Sequence, residues 1–119
     1  LDEALVRRFA LSCTAGDLAA VRRTLAEDAI AVTDGGGKVV APRQPLEGAD
    51  NVARFVATLL ARRPGTDLTA EAVNGHTGLV LRHTGQAVAV ISLTIAGAHI
   101  TAVWIVLNPD KLTHWHSLG

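Results

Sequence analysis

The stretch that decides the fold is Gln86–Leu107, QAVAVISLTIAGAHITAVWIVL. Gln86 to Ala96 reads as one long strand, Gly97-Ala98 as a turn, and His99 to Leu107 as a second long strand. Along that second strand Ile100, Ala102, Trp104 and Val106 share one face, and His99, Thr101, Val103, Ile105 and Leu107 share the other. Both faces are largely apolar, as in a strand that is covered on both sides. Pro109 ends it, because proline has no N–H for the ladder.

The same period runs upstream. Leu79 to Thr84 reads as a strand followed by a Gly85-Gln86 turn. Asp67 to Val73 alternates, and Asn74-Gly75 is a hairpin signal. Before that, the spacing becomes helical. Val52, Phe55, Val56, Leu59 and Leu60 fall on one stripe, in a helix opened by Asp50. Arg62-Arg63 complement its negative end, and Pro64-Gly65 stop it. Pro42 to Gly48 reads as a loop. Asp28 to Asp34 reads as a strand with Ile30 and Val32 on one face, Gly35-Gly36-Gly37 as a turn, and Lys38-Val39-Val40 as the start of a return strand.

At the N-terminus Asp2 can cap a helix running to about Thr14, with Leu1, Leu5, Val6 and Phe9 on its apolar side. Gly16 suits a left-handed stop and Asp17 a new cap. A short second helix carries Leu18, Val21 and Leu25 and ends near Glu27. The expected order is α-α-β-β-α-β-β-β-β in a single domain over residues 1–119.

Composition limits the function classes. Apolar residues make up 49% of the chain, which excludes a disordered segment, while the low aromatic content of 3% makes the core aliphatic. Lys and Arg number 11 against 11 Asp and Glu, so no positive excess exists for nucleic acid, and no direct nucleic-acid contact is expected. Arg7-Arg8, Arg22-Arg23 and Arg62-Arg63 read most simply as solvated helix faces. No apolar run is long enough for a membrane helix, and no membrane partner is expected. The early charges Asp2, Glu3, Arg7 and Arg8 do not resemble a signal peptide. The single cysteine, Cys13, excludes an intrachain disulfide and reads as a small buried apolar residue. The sequence contains no methionine, so the expectation is that more chain precedes Leu1.

Three helices cannot cover both faces of a mixed six-strand sheet. The economical arrangement is α+β: a strongly curved, mainly antiparallel sheet wrapped around three helices as a cone. A cavity between them is a candidate site for a small apolar ligand. The back of the sheet is expected to pack on another domain or subunit, and is a candidate face for a homodimer.

Two short segments stand out against this frame. Asp34-Gly35-Gly36-Gly37-Lys38 puts three glycines where a two-residue turn would serve, at a cost in backbone entropy. Bare backbone there lets another chain approach closely. Asn108-Pro109-Asp110-Lys111-Leu112 reads as a turn in which Asn108 bonds its own backbone ahead and Leu112 packs. The bland readings are a flexible turn with a surface ion pair and an ordinary strand terminator.

The element order over the whole chain resembles the cystatin-like, SnoaL-like (nuclear-transport-factor-like) cone fold. That fold hosts cyclases, isomerases, dehydratases and non-catalytic modules, so it does not fix an activity. The two segments together, in this order, resemble the C-terminal extension of a group of bacterial extracytoplasmic-function (ECF) sigma factors. There a SnoaL-like domain follows the promoter-recognising sigma regions. The resemblance implies a cytoplasmic, non-enzymatic regulatory domain that contacts the sigma regions of its own chain and RNA polymerase core. Its contact residues would be Asp34, Gly35, Gly36, Gly37 and Lys38 with Asn108, Pro109, Asp110, Lys111 and Leu112. It implies no cofactor and no metal.

The alternative is an enzyme of the SnoaL-like cyclase or ketosteroid isomerase type, which needs a carboxylate or histidine in an apolar cavity. Asp28, Asp34, Glu71, His76, His83 and His99 are candidates on or near strands, but the chain has no tyrosine to act as a phenolic oxyanion donor. His114 and His116 would point the same way from an extended segment and could hold a metal, though no further ligand is paired with them. They read more simply as surface histidines of a tail.

Overall fold

In the computed structural model, residues 2–38 and 41–116 are described, the side chain of Asp2 excepted. The expected Asp2 cap, the contribution of Leu1 and the Val39-Val40 return strand lie outside the described parts. The elements are α1 (Asp2–Thr14), α2 (Leu18–Thr24), β1 (Leu25–Asp34), β2 (Leu46–Glu47), α3 (Ala49–Leu60), β3 (Thr66–Val73), β4 (His76–His83), β5 (Gln86–Ala96) and β6 (His99–Val106). Two 3-10 turns follow, Pro109–Lys111 and Thr113–Trp115.

The strands form one sheet in the order β2-β1-β6-β5-β4-β3. All neighbours are antiparallel except β1 and β6, which run parallel. The expected α+β cone, a mixed and mainly antiparallel sheet with three helices on its concave side, is the observed architecture. Hairpin chemistry fixes its larger part. Asn74 and Gly75 both take positive φ, as do Thr84 and Gly85, which matches the turn twist that right-twisted strands require. The second of these turns therefore lies one residue earlier than the sequence suggests.

Three other boundaries differ for long-range reasons. Helix α2 stops at Thr24 rather than near Glu27, because Leu25 turns extended and pairs with Ile100 in the sheet. Leu25 is buried there as a strand residue, while Leu18 is left exposed. The antiparallel partner of β1 is Leu46–Glu47, inside the segment expected to be loop, and Lys38 lies in a turn rather than a strand. A register shift between Thr94 and Ile95, opposite Ile100–Ala102, breaks the simple alternation of β6. Ile100 consequently joins Val103 and Ile105 in the core instead of sharing a face with Trp104.

Apart from Leu18 and Leu25 of the second, the helices present their stripes as expected. Leu5, Val6, Phe9 and Cys13 of α1, Val21 of α2, and Val52, Val56 and Leu60 of α3 pack on Leu79, Leu81, Ile91, Val103 and Ile105. Asp17 caps α2 by accepting the Ala20 N–H at 3.1 Å. Gly48 precedes α3, and Arg63 donates to the carbonyls of Thr58, Leu59 and Ala61 at its end. Burial pushes the Cys13 thiol up to about 12, the behaviour of an inert core cysteine.

The back of the sheet is only partly open. Leu112 and Trp115 cover Val73, Val80, Ala87, Val90 and Val106, so the chain itself supplies part of the cover expected from a partner. Further across, Trp104 is exposed and donates its indole N–H to Thr94 Oγ1 at 2.9 Å.

Candidate functional site

Strands β1 and β6 are parallel neighbours, so their C-terminal ends meet. Asp34 and Val106 are register partners, and Leu107 N–H donates to the Asp34 carbonyl at 2.7 Å. This pairing brings together the two segments singled out in the sequence, although the side chains that pair between them lie 72 and 77 positions apart. Topology alone accounts for the meeting, and no periodicity within either segment reveals it.

Each segment first closes on itself. Asp34 Oδ1 accepts the Gly36 N–H at 2.9 Å, and Lys38 N–H donates to the Gly35 carbonyl at 3.1 Å. Asn108 Oδ1 accepts the Asp110 N–H at 3.1 Å and caps the first 3-10 turn, with Pro109 as its first residue. The segments then lock across one another. Lys38 Nζ donates to Asp110 Oδ2 at 2.7 Å, and Lys111 Nζ donates to Asp34 Oδ2 at 2.7 Å. Each segment thus offers one acid and one base, and two ion pairs join the segments.

Gly36 shows why glycine is needed there. Its φ is +62°, and a β-carbon would overlap the Asn108 side chain. The lock therefore combines backbone contact with charge. Lys111, and to a smaller degree the Gly36 N–H, holds the Asp34 carboxyl below the usual carboxylate range. The four charged side chains remain substantially in solvent, at 38% exposure for Asp34 and 68% for Asp110. Exposed pairs of this kind contribute little to stability. Leu112, last of the segment, is buried against the back of the sheet.

The catalytic candidates are not brought together. Asp28, His76, His83 and His99 are exposed, and Asp34 belongs to the edge just described. Glu71 lies on the back of β3, where Arg82 and Thr69 hold its carboxyl below the usual range. The concave face is filled by apolar side chains, Phe9 and Ile91 among them at 0% exposure. Between the helices and the sheet only open hollows are seen among the described residues: one of about 250 Å³ beside α1 and β3, with the exposed Asp67 on its rim, and one of about 510 Å³ between Val6 and Leu93, with the exposed His76 on its rim. His114 and His116 do not project together from an extended segment. Residues 113–115 form a 3-10 turn, and His116 Nδ1 accepts the Ala87 N–H at 2.8 Å.

One cluster escaped the sequence reading: Arg82 with Glu71, Thr69 and the Trp115 carbonyl. A signal for half of it existed. The Asn74-Gly75 turn fixes the β3–β4 register and thereby puts Glu71 and Arg82 on the same sheet face.

No protein-family profile matches the chain. Its sequence is 29% identical, over 92% of its length, to the ECF RNA polymerase sigma factor SigJ of Mycobacterium tuberculosis H37Rv. It spans 38% of that protein's length. The crystal structure of SigJ superimposes with a TM-score of 0.71 at 27% identity, over 93% of this chain and 43% of that one. An NTF2-like protein of unknown function from Cytophaga hutchinsonii gives 0.64 at 13% identity, over 95% of both chains. A putative ketosteroid isomerase from Kribbella flavida gives 0.59 at 16% identity, over 87% of this chain and 74% of that one. The last two likenesses concern the fold alone.

Proposed function

We propose, on the premise that this chain is a SnoaL-like domain related to ECF sigma factors, that it is a non-catalytic regulatory domain. It tunes the activity of RNA polymerase by contacting the promoter-recognising sigma regions of its own protein. The contact edge is the paired surface of residues 34–38 and 108–112. The observation that supports this reading is the pairing of Lys38 with Asp110 and Lys111 with Asp34 across a bare glycine turn. Such pairs add little stability, so a role in recognition accounts for them better than a role in folding. The buried core holds no histidine or carboxylate among the described residues, and the Asp67 and His76 that line the hollows beside it are exposed, which weighs against the enzyme alternative.

The test is transcription by the full-length protein carrying Asp34→Ala or Lys38→Ala. Altered transcript yield with a melting temperature near that of the parent supports the reading. A large loss of stability, with yield falling in proportion to folded protein, would make the edge a fold element and overturn it.

A further inference from the structure

The segment that supplies Asp110 and Lys111 continues beyond the edge. From Asn108 it crosses the back of the sheet as a strap, with Leu112 at 2% exposure packed on Val80, Val90 and their neighbours. Two polar anchors hold its far end. Arg82 Nε–H donates to the Trp115 carbonyl at 2.8 Å, and the Ala87 N–H donates to His116 Nδ1 at 2.8 Å. Arg82 is itself fixed. Its two terminal nitrogens reach the Glu71 carboxylate at 2.5 and 3.1 Å, one of them also reaches Thr69 Oγ1 at 3.1 Å, and its side chain is 13% exposed. A guanidinium gripped by a carboxylate with both terminal nitrogens has a fixed plane, so the direction of its remaining Nε–H is set. That direction ends on a backbone carbonyl of the strap.

We propose that Arg82 is a positioning residue for the docking edge: it fixes the strap at Trp115 and thereby holds Asp110 and Lys111 against Lys38 and Asp34. The functional weight of this inference rests on the docking reading above; the coupling itself does not. Strand β4 lies three inter-strand steps from β1. At about 4.8 Å per step this is roughly 14 Å, beyond a Debye length of about 8 Å. A change at Arg82 therefore reaches Asp34 through the strap rather than through its charge.

The experiment is an NMR titration of the Asp34 carboxylate in the 119-residue chain, comparing the parent with Arg82→Lys, His116→Phe and Lys111→Met. Lys111→Met sets the scale, since it removes the group that holds Asp34 down. Arg82→Lys keeps the positive charge but loses the fork. It is expected to raise the Asp34 midpoint through most of the Lys111→Met interval, and His116→Phe through a smaller part. An Asp34 titration unchanged in a folded Arg82→Lys variant would overturn the proposal. If that variant does not fold, an unchanged titration in His116→Phe does the same. Failure of the parent domain to bind sigma regions would instead count against the docking reading, and the titration still decides the role of Arg82.

Discussion

Phe9 and Asp34 represent two regions built from opposite materials. Around Phe9 the three helices and the concave face meet in a dry aliphatic core. Around Asp34 two loop segments meet through two ion pairs, an Asx turn and a glycine in the left-handed region. The first region supplies the stability of the domain, because buried apolar area dominates folding free energy. The second supplies little stability yet is specified residue by residue. On the proposed reading, stability and recognition occupy different parts of this domain, and substitutions should separate them.

The largest effect belongs to the core. Phe9→Ala should cost about 3–5 kcal/mol in urea unfolding, with the edge contacts intact in whatever fraction stays folded. A cost near zero would mean that the helices do not pack on the sheet as described. Next comes Gly36→Ala, which demands a left-handed alanine and displaces Asn108. It should cost about 1–2 kcal/mol and should also disturb the edge, as chemical shifts of Lys38 and Lys111 would report. This is the one edge position where stability and recognition are expected to move together.

Acid should distinguish the regions without mutation. Asp34 and Glu71 both titrate below their ordinary values in the folded chain, held by Lys111 and Arg82 respectively. Their contribution is complete above the ordinary carboxylate range and is lost as pH falls through their depressed folded values. Urea midpoints measured from neutral pH downward should therefore decline in acid, and Lys111→Met should shallow that decline by removing the Asp34 share. The smallest stability effect is expected from a charge reversal, Lys38→Asp with Asp110→Lys. It rebuilds the internal pair with opposite polarity, so the melting temperature should stay within about 2 °C of the parent. Docking should nevertheless weaken if a partner reads these charges. Docking that survives the reversal would limit the pair to an internal clasp.

Most of the fold is legible in the sequence, because its signals are local. The Asn74-Gly75 turn, the long apolar strand run of Gln86 to Ala96 and the stripe from Val52 to Leu60 each fix their own element. What is not legible depends on distant pairing. Leu25 reads as helix until Ile100 is placed beside it, and Ile100 changes face because of a bulge set by β5. Leu46–Glu47 carries no strand signal beyond the edge of β1 that it meets. The candidate edge was legible as two segments but not as one surface, since only the parallel pairing of β1 with β6 unites them. The strap was hidden for the same reason: His116 and Trp115 look like an ordinary tail until Ala87 and Arg82 are in view.

The decisive measurement for the proposed docking is titration calorimetry of this domain against the sigma regions that the proposal places in the same protein, with core RNA polymerase present. A Lys38→Ala, Asp110→Ala double variant serves as the comparison. Binding by the parent is expected, with a loss of at least tenfold in affinity, about 1.4 kcal/mol, in the double variant. Equal affinities for the two proteins, or no heat from either, would contradict it.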